Sequence, residues 1–193
     1  MNQASGTVGN GSEMNAVVRN DWAMLVDPGW NPESVDEAPP PHVMAGGWRL
    51  DENGDPGLFE ANPEYVPLME GGATDPVDAV LRLIARGDVT ADALIPTLRN
   101  SYVQLAVTPD RNQLLVGPAP DDAQCVAVVT AGLHRKNVSH ESWLETTVDD
   151  LVEFIPDGVD ILLNPGSPFR FRLLTEAVRL CCAEDPENVK RMD

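Results

Sequence analysis

The chain has few basic residues: its 193 residues include 13 Lys and Arg against 31 Asp and Glu, for a formal net charge of −18. Each phosphate contact in a nucleic-acid complex needs a cation, so a surface with this charge repels a polyanion. An anionic membrane surface is disfavoured for the same reason. We therefore expect neither nucleic acid nor membrane among the binding partners.

Cysteine is also scarce, with three residues, Cys125, Cys181 and Cys182. An odd number that includes an adjacent pair is not typical of a disulfide framework and favours a reducing compartment. The uncharged apolar runs stay below about a dozen residues, whereas a membrane-spanning helix needs roughly 20. Residues 1–12 lack the basic start and the apolar stretch of a secretory signal. These absences predict a cytoplasmic protein without a membrane span.

Proline, in contrast, is abundant, and 8 of the 17 prolines lie between residues 27 and 68. This density excludes a long helix there, because proline lacks an N–H donor and clashes with the preceding turn. Residues 1–72 also hold 2 arginines and 12 acidic residues, which places 10 of the 18 net negative charges in that part of the chain. The predicted organisation is a flexible tail (1–14), an acidic Trp- and Pro-rich β-hairpin segment (15–72), an α/β domain (73–185) and a second tail (186–193).

Apolar periodicity and turn residues predict the elements of the hairpin segment. Residues 21–26 form a predicted strand that Asp27-Pro28-Gly29 ends. Residues 46–50 and 58–61 form a predicted hairpin around Asn53-Gly54, because both of these residues tolerate positive φ.

The α/β domain begins with a helix that Asp75 caps, Pro76 opens and Gly87 ends. A second helix starts at Thr90 and is predicted to be kinked or broken by Pro96. The remaining predictions are strands over 102–107, 113–116, 125–130 and 159–163, a helix over 148–155, and a last helix that starts at Ser167-Pro168 and presents Phe169, Leu173, Leu174, Ala177, Val178 and Cys181 on one face. This order predicts an α+β fold, an α/β sandwich with helices on a mixed sheet of about four to five strands.

The residues that could carry chemistry form no recognised catalytic or metal motif. Residues 51–55 place oxygen atoms as a calcium loop does, but Pro56 and Asn62 occupy the positions that need glycine and glutamate. No cysteine pair at zinc spacing accompanies the histidines, which we expect to be solvated loop residues. The three histidines are His42, His134 and His140. We therefore expect no metal and no cofactor.

The letters of a catalytic triad occur once, at Ser139-His140-Glu141. Adjacent residues cannot form a triad, because its groups must converge from separate places in the fold. The sequence also lacks the G-x-S-x-G pattern of an activated serine. We therefore expect no enzyme activity.

The turn at Asn164-Pro165-Gly166-Ser167 lies between an apolar strand and the predicted last helix. Backbone N–H groups at a helix N-terminus can hold an anion, which makes Asn164, Gly166 and Ser167 a candidate anion-binding turn with two arginines just beyond it. The alternative is a tight strand-to-helix turn with a serine cap. We favour this alternative, because no lysine or longer glycine pattern completes a phosphate loop.

The four tryptophans are Trp22, Trp30, Trp48 and Trp143. In a chain with few aromatic residues a tryptophan usually fills the core, yet tryptophan is also enriched at binding hot spots. Trp30 and Trp48 lie beside turns in the segment that has the least core of its own. We predict that these two residues contact a protein partner.

The order of several short motifs resembles two known families. Residues 75–80, 125–130 and 161–166 are similar to the N-terminal domain of SseB (enhanced serine sensitivity) proteins, where a strand ends in a Leu-Asn-Pro-Gly turn before the last helix. The preceding segment resembles the lead segment of actinobacterial type VII secretion system-associated proteins. The motifs that carry this second resemblance are Leu25-Val26-Asp27-Pro28-Gly29-Trp30, Gly46-Gly47-Trp48, Asp51-Glu52-Asn53-Gly54, Asn62-Pro63 and Tyr65. Together the resemblances cover about residues 20–182, and the families have no established catalytic residues to transfer.

The resemblance implies a non-enzymatic cytoplasmic accessory factor of type VII secretion that binds another protein. The acidic, tryptophan-bearing first segment favours a basic partner, because opposite charges steer association. Two alternatives stay open at this point. One is a sensor that binds a small anion or metabolite at the Asn164–Ser167 turn, and the other is an immunity-type protein whose acidic surface covers a basic toxin.

Overall fold

Two β-sheets and four α-helices make up the described part of the chain. The computed structural model describes residues 15–34, 37–110 and 113–183, so the predicted tails over 1–14 and 186–193 lie outside the described residues. One sheet has four strands and the other has six, with both parallel and antiparallel pairs in the larger one. The predicted α+β fold is confirmed.

The four-stranded sheet is an antiparallel meander within the predicted hairpin segment. Its strands, in chain and spatial order, are β1 (Asn15–Arg19), β2 (Trp22–Val26), β3 (Met44–Leu50) and β4 (Pro56–Ala61). The predicted strand and hairpin are both present, and β1 is an additional edge strand that was not predicted. A two-residue turn at Asn20-Asp21 joins β1 to β2, and Asn20 adopts the positive φ of 57° that such a turn needs.

A small hydrophobic core lies against this sheet. Its buried side chains are Leu25, Ala45, Phe59 and Tyr65, with Trp48 and Ala61 packed partly buried against them. The rings of Trp48 and Phe59 meet edge to face, with their centroids 4.9 Å apart. Four buried side chains are few for a free-standing unit, so we expect this sheet to depend on contacts with the rest of the chain.

The larger sheet comprises six strands from the second half of the chain. These are β5 (Val103–Ala106), β6 (Val116–Pro118), β7 (Gln124–Val129), β8 (Trp143–Thr146), β9 (Asp160–Leu163) and β10 (Phe171–Leu173). Their spatial order is β10-β9-β7-β5-β8, and β6 pairs with β7 off this path. β7 and β9 run parallel, whereas the other pairs are antiparallel. The predicted central position of the apolar strand β7 is confirmed.

The four helices are α1 (Pro76–Arg86), α2 (Leu94–Arg99), α3 (Val148–Phe154) and α4 (Thr175–Ala183). Asp75 caps α1 by accepting a hydrogen bond from the backbone N–H of Asp78, and Gly87 ends the helix with a φ of 78°, both as predicted. Pro96 lies in the first turn of α2, where its missing N–H would have no helical partner in any case. None of the helices in the described ranges combines the length and hydrophobicity needed to cross a bilayer.

One face of the larger sheet and all four helices enclose the main hydrophobic core. It contains 18 buried side chains, among them Val126 and Val128 of β7 and Ile161 and Leu163 of β9. Each of these strand pairs is in register, Val126 opposite Ile161 and Val128 opposite Leu163, so their side chains share a face. This core positions the start of α1 against the carboxyl ends of β7 and β9.

Two predicted elements were wrong. Residues 113–116 do not form a strand with 102–107, because Leu114 makes only a single bridge to Val107, and β6 pairs with β7 instead. No helix starts at Ser167, since the chain there makes a turn and then β10, and α4 begins only at Thr175. Apolar and basic residues alternate from Phe169 to Leu173, and an alternation of period two is typical of a strand. The prediction of a helix did not take this alternation into account.

The two sheets are joined through backbone hydrogen bonds at Phe59. The Phe59 N–H donates to the carbonyl of Asn100 at 2.8 Å, and the Tyr102 N–H donates to the carbonyl of Phe59 at 3.0 Å. This gives an isolated parallel bridge between Phe59 and Ser101, just before β5. The outer strand of the small sheet is thereby attached to the entry of the large one.

Candidate functional site

A cluster of buried polar side chains lies at the carboxyl ends of β7 and β9. Ligands of open α/β sheets commonly bind at this end of parallel strands. Thr130 and Asn164 directly follow the two strands, and His134 comes from the 3₁₀ helix Gly132–Asn137. The start of α1 supplies the remaining members. We call Thr74, Asp75, Asp78, Thr130, His134 and Asn164 the polar cluster; each of them is buried.

Hydrogen bonds in the polar cluster converge on the carboxylate of Asp75. Its Oδ2 accepts from the hydroxyls of Thr74 at 2.7 Å and Thr130 at 2.8 Å, and its Oδ1 accepts from the Asp78 N–H at 2.9 Å. Asn164 donates from Nδ2 to Thr130 Oγ1 at 3.0 Å. Because Thr74 gives its hydrogen to Asp75, the His134 Nε2 that lies 2.9 Å from Thr74 Oγ1 is assigned as an N–H donor. The cluster is thus a directed chain of hydrogen bonds.

Burial sets the protonation behaviour of this cluster. Desolvation, together with the neighbouring charge of Asp78, raises the pKa of Asp75, while the hydrogen bonds to its carboxylate oppose this shift. Desolvation lowers the pKa of His134, and the negative charges of Asp75 and Asp78 oppose that shift. Burial therefore shifts each pKa in the direction that disfavours the charged form, while hydrogen bonds oppose the shift at Asp75 and neighbouring negative charges oppose it at His134.

Asp78 connects the polar cluster to Arg82. Its Oδ2 accepts from the Thr74 N–H at 3.1 Å and from Arg82 Nε at 2.8 Å. Its Oδ1 is buried without a hydrogen-bond partner among the described residues and lies 4.0 Å from His134 Nε2. Arg82 in turn stacks over the ring of Phe169 at 4.4 Å and donates to the carbonyl of Gly71 at 2.5 Å. Arg82 is therefore held from three sides.

A groove opens where Arg82 reaches the surface. Its volume is about 270 Å³. One wall is formed by the small-sheet segment and the connection to α1, and the other wall is formed by α1. The lining residues are Asp27, Pro28, Tyr65, Met69, Gly71, Gly72 and Ala73 on the first wall and Ala79, Arg82, Leu83 and Arg86 on the second. The groove therefore lies at the junction between the two sheet regions.

Asp27 fixes the first wall of the groove. It is buried, and its carboxylate accepts three hydrogen bonds: from the Gly29 N–H at 2.6 Å, from the Tyr65 hydroxyl at 2.6 Å and from the Leu68 N–H at 2.9 Å. Burial and the adjacent Asp27 charge raise the pKa of the Tyr65 phenol well above its ordinary value, so it stays a donor. These bonds tie the connection between β4 and α1 to the end of β2.

An apolar strip lies along this wall. Val66, Leu68 and Met69, which we call the apolar strip, have exposed fractions of 57%, 50% and 53%. A Cβ atom on Gly29 would come within 3.3 Å of Leu68 and 3.6 Å of Met69, so the turn at Asp27–Trp30 packs directly beside the strip. The half-buried Trp30 follows Gly29 in the chain.

The two predicted partner-binding tryptophans occupy different environments. Trp30 is half-buried and ends the turn in which Gly29 packs beside Leu68 and Met69. Trp48 packs against Phe59 and contributes to the small core, where it is half-buried. The two residues share no contact in the described part of the structure, and neither of them lines the groove.

The candidate anion turn also differs from its prediction. The helix N-terminus on which the anion hypothesis depended is missing, because β10 follows the turn. Asn164 points inward to Thr130, and Ser167 is buried with its Oγ accepting from the Phe169 N–H at 3.1 Å. At Gly166, with a φ of 75°, an added Cβ would lie 2.8 Å from Asn137, so the neighbouring loop already covers the turn.

The histidines were predicted to be solvated, and this prediction was wrong for His134. His134 is buried because the 3₁₀ helix folds it back onto the start of α1, 60 residues earlier in the chain. His42 is exposed, and the half-buried His140 lies with Nε2 2.9 Å from the carbonyl of Val107. His140 and Ser139 line a second cavity of about 270 Å³ on the sheet face opposite the helices, together with Cys125, Ala127 and Leu162.

The acidic turn of the small-sheet hairpin is explained by its own backbone. Asp51 Oδ1 accepts from the N–H groups of Asn53 at 2.8 Å and Asp55 at 2.9 Å. These bonds lower the pKa of Asp51. In the ranges that the structure describes, no three His, Cys, Asp or Glu side chains are grouped so that they could hold a metal ion.

Comparison with known proteins adds no relative: no family model, curated protein or solved structure matches the chain. The class of the protein is therefore defined by the fold alone. It is an α+β protein in which a four-stranded antiparallel sheet is attached to a six-stranded mixed sheet, with a groove at their junction.

Sequence reasoning missed several members of the site. Asp78 and Arg82 of α1 were given no role, although their i,i+4 spacing is that of a helical ion pair. Thr130 was included in a strand without a role. Two features of the sequence could have indicated the site. Thr130 is a polar residue at the end of an apolar strand, and the N-cap residue Asp75 is followed three residues later by a second aspartate, Asp78.

Proposed function

We propose that this protein is a non-enzymatic, cytoplasmic protein-binding factor associated with type VII secretion, and that it binds its partner through the groove and the apolar strip. The association with secretion rests on the resemblance of residues 20–182 to the two families. The place of binding rests on the surface described above.

The main support for this binding surface is the close spacing of exposed apolar side chains in the apolar strip. Val66, Leu68 and Met69 lie within four consecutive residues, whereas the five other exposed large hydrophobic residues of the described chain are spread over β1, β6, α3 and the region of α4. Those five are Val18, Val116, Phe154, Leu174 and Leu180. Single exposed apolar residues are common, but a contiguous group beside a groove is typical of an interaction site. Met69 further suits such a surface, because its flexible thioether adapts to different partners.

The chemistry of the groove supports binding over catalysis. A general acid or base must come within hydrogen-bond reach of a substrate. Asp75, Asp78 and His134 are buried and form hydrogen bonds with one another or with neighbouring residues. The Asp27 carboxylate already accepts hydrogen bonds from three donors within the protein. These groups are well placed to hold the groove in shape.

A matched pair of double variants tests the proposal. Leu68→Asp with Met69→Asp places two charges in the apolar strip. Leu174→Asp with Leu180→Asp places two charges at exposed apolar sites before and within α4, which do not line the groove. Each tagged protein is incubated with lysate of the source organism, and the captured proteins are quantified by mass spectrometry. We expect the first variant to lose captured secretion components at least about tenfold, since the loss of hot-spot residues costs more than about 1–2 kcal/mol.

The control variant should retain these proteins, and circular dichroism should show both variants folded. Equal capture by both variants would contradict the proposed surface. Recovery of a basic toxin in place of secretion components would favour the immunity hypothesis over the association with secretion.

A further inference from the structure

We propose that the occupant of the groove is a basic, amphipathic segment of a protein partner, which places an apolar side chain in the groove and Lys or Arg side chains against its acidic rim. This inference rests on the proposed function and names the chemistry of the partner at the same site. The apolar contacts, the local charges and the net charge of the protein each support it.

The interior of the groove fits an apolar side chain. Met69, Ala79 and Leu83 supply apolar lining, and the apolar strip extends this surface outward. The volume of about 270 Å³ lies just below the range of about 300–1,000 Å³ that is usual for small-molecule pockets. A shallow apolar groove of this size beside an exposed strip is the geometry in which an amphipathic helix or strand lays down its apolar anchors.

The two internal charges of the groove are already compensated within the protein. The Arg82 guanidinium faces the Asp78 carboxylate at 2.8 Å, and its Nη1 donates to the Gly71 carbonyl. The Asp27 carboxylate accepts three hydrogen bonds. Neither group therefore determines the sign of the charge that a partner meets.

The exposed rim, in contrast, is acidic. Glu64 precedes Tyr65 of the first wall, and Glu70 lies between Met69 and Gly71, with both glutamates exposed. At the end of α1, Arg86 pairs with Asp88 at 3.0 Å, and an exposed pair of this kind is close to neutral for an approaching chain. Three exposed carboxylates, those of Glu64, Glu70 and Asp88, thus lie within two residues in the chain of lining residues. They outnumber the one exposed guanidinium, that of Arg86, and this excess of negative charge complements cationic side chains.

The charge of the whole protein acts in the same direction. A net charge of −18 attracts a basic segment and repels an acidic one over distances of about a Debye length, roughly 8–10 Å. Long-range steering alone would bring a basic segment to any part of this surface. We expect the apolar strip to direct the segment to the groove. The occupant therefore needs both basic residues and apolar residues.

Site-specific photocrosslinking identifies the occupant. A benzophenone amino acid replaces Val66, which is exposed beside the groove, and the full-length protein is irradiated in lysate of the source organism. The crosslinked partner peptide is then sequenced by mass spectrometry. We expect a segment that alternates apolar residues with Lys or Arg and carries a net positive charge.

Two charge-reversal variants of this crosslinking protein separate the local rim from the overall charge. Glu64→Lys with Glu70→Lys alters the rim, and Glu141→Lys with Glu153→Lys makes the same change in net charge at exposed positions elsewhere. We expect the rim variant to lower the crosslinking yield about tenfold and the distant variant to lower it much less, since local complementarity adds to general attraction.

The results distinguish failure of this inference from failure of the proposed function. A neutral or acidic crosslinked segment, or equal losses in the two charge variants, would overturn the basic occupant while leaving binding at the apolar strip intact. A crosslink that is also insensitive to Leu68→Asp with Met69→Asp would overturn both, as would the complete absence of a crosslinked protein.

Discussion

The two sheet regions differ in how their structure is maintained. The six-stranded sheet and its four helices enclose a core of 18 buried hydrophobic side chains, whereas the core against the four-stranded sheet contains four. The small sheet instead relies on attachments: the backbone bridge at Phe59 and the hydrogen bonds from Tyr65 and Leu68 to Asp27. Regions with few apolar contacts open at lower free energy than a well-packed core. The groove therefore lies between a rigid wall and a more adaptable one.

This difference suits a binding site at the junction. Helix α1 is held by the main core and the polar cluster, so Ala79, Arg82 and Leu83 present a fixed surface. The opposite wall is a connection that hydrogen bonds hold at a few points, and it carries the apolar strip. Such a wall can adjust its shape to a partner, while α1 on the other wall keeps the position of the contact fixed.

The largest effect should come from a cavity in the main core. Ile161→Ala removes a fully buried side chain from β9, and we expect it to lower the free energy of unfolding by about 4 kcal/mol. Leu25→Ala in the small core should cost only about 2 kcal/mol, because few side chains surround it and they can close the gap. Urea unfolding followed by circular dichroism measures both values. A larger loss for Leu25→Ala would contradict the contrast between the two cores.

Local sequence signals predicted the elements whose determinants lie close together in the chain. The Asp75-Pro76 start and the Gly87 end of α1 were both predicted, because a cap involves residues within one turn. The apolar β7 was likewise predicted from composition alone. The predicted start of the last helix was wrong because residues 169–174 fit both a helical face and an alternating strand. Only pairing with β9 decides between the two structures.

The candidate site could not be predicted in the same way, because its contacts join distant parts of the chain. The Thr130–Asp75 hydrogen bond spans 55 residues, the His134–Thr74 bond spans 60, and the Tyr65–Asp27 bond spans 38. No local pattern encodes such pairs. Asn164 illustrates the limit, since the sequence indicated a special turn there but not that its side chain points inward to Thr130.

A smaller but more local effect should follow from a glycine of the small sheet. Gly46→Ala requires a Cβ that would clash with the Glu60 carbonyl and lie 2.5 Å from the Phe59 ring, at a φ of 152°. We expect a loss of about 2–3 kcal/mol, because pairing of β3 with β4 must shift. Gly54→Ala is the matched control, since its φ of 87° is unfavourable but nothing lies within 4 Å, and it should cost about 1 kcal/mol.

Hydrogen exchange shows where the Gly46→Ala damage lies. Amides of β2, β3 and β4 should lose protection, while those of β7 and β9 keep theirs, because the main core does not depend on the small sheet. Equal loss of protection in both sheets would mean that the two regions unfold as one unit, and would remove the basis for an adaptable wall.

The smallest effect concerns the pH dependence that His134 gives to the rigid side of the groove. Burial lowers the pKa of His134 below its ordinary value of 6.5, so the unfolded chain takes up the proton first as the pH falls. The contribution of the neutral ring to stability is therefore present above that value and is lost in more acidic solution.

His134→Gln keeps an N–H donor for Thr74 but cannot be protonated. Between about pH 7.5 and about pH 5.5 we expect the wild-type protein to lose about 1 kcal/mol more stability than this variant in urea unfolding. The difference should persist in about 0.5 M salt, because desolvation is not screened as exposed charges are. A variant with the same pH slope as the wild type would show that the buried ring contributes no proton linkage.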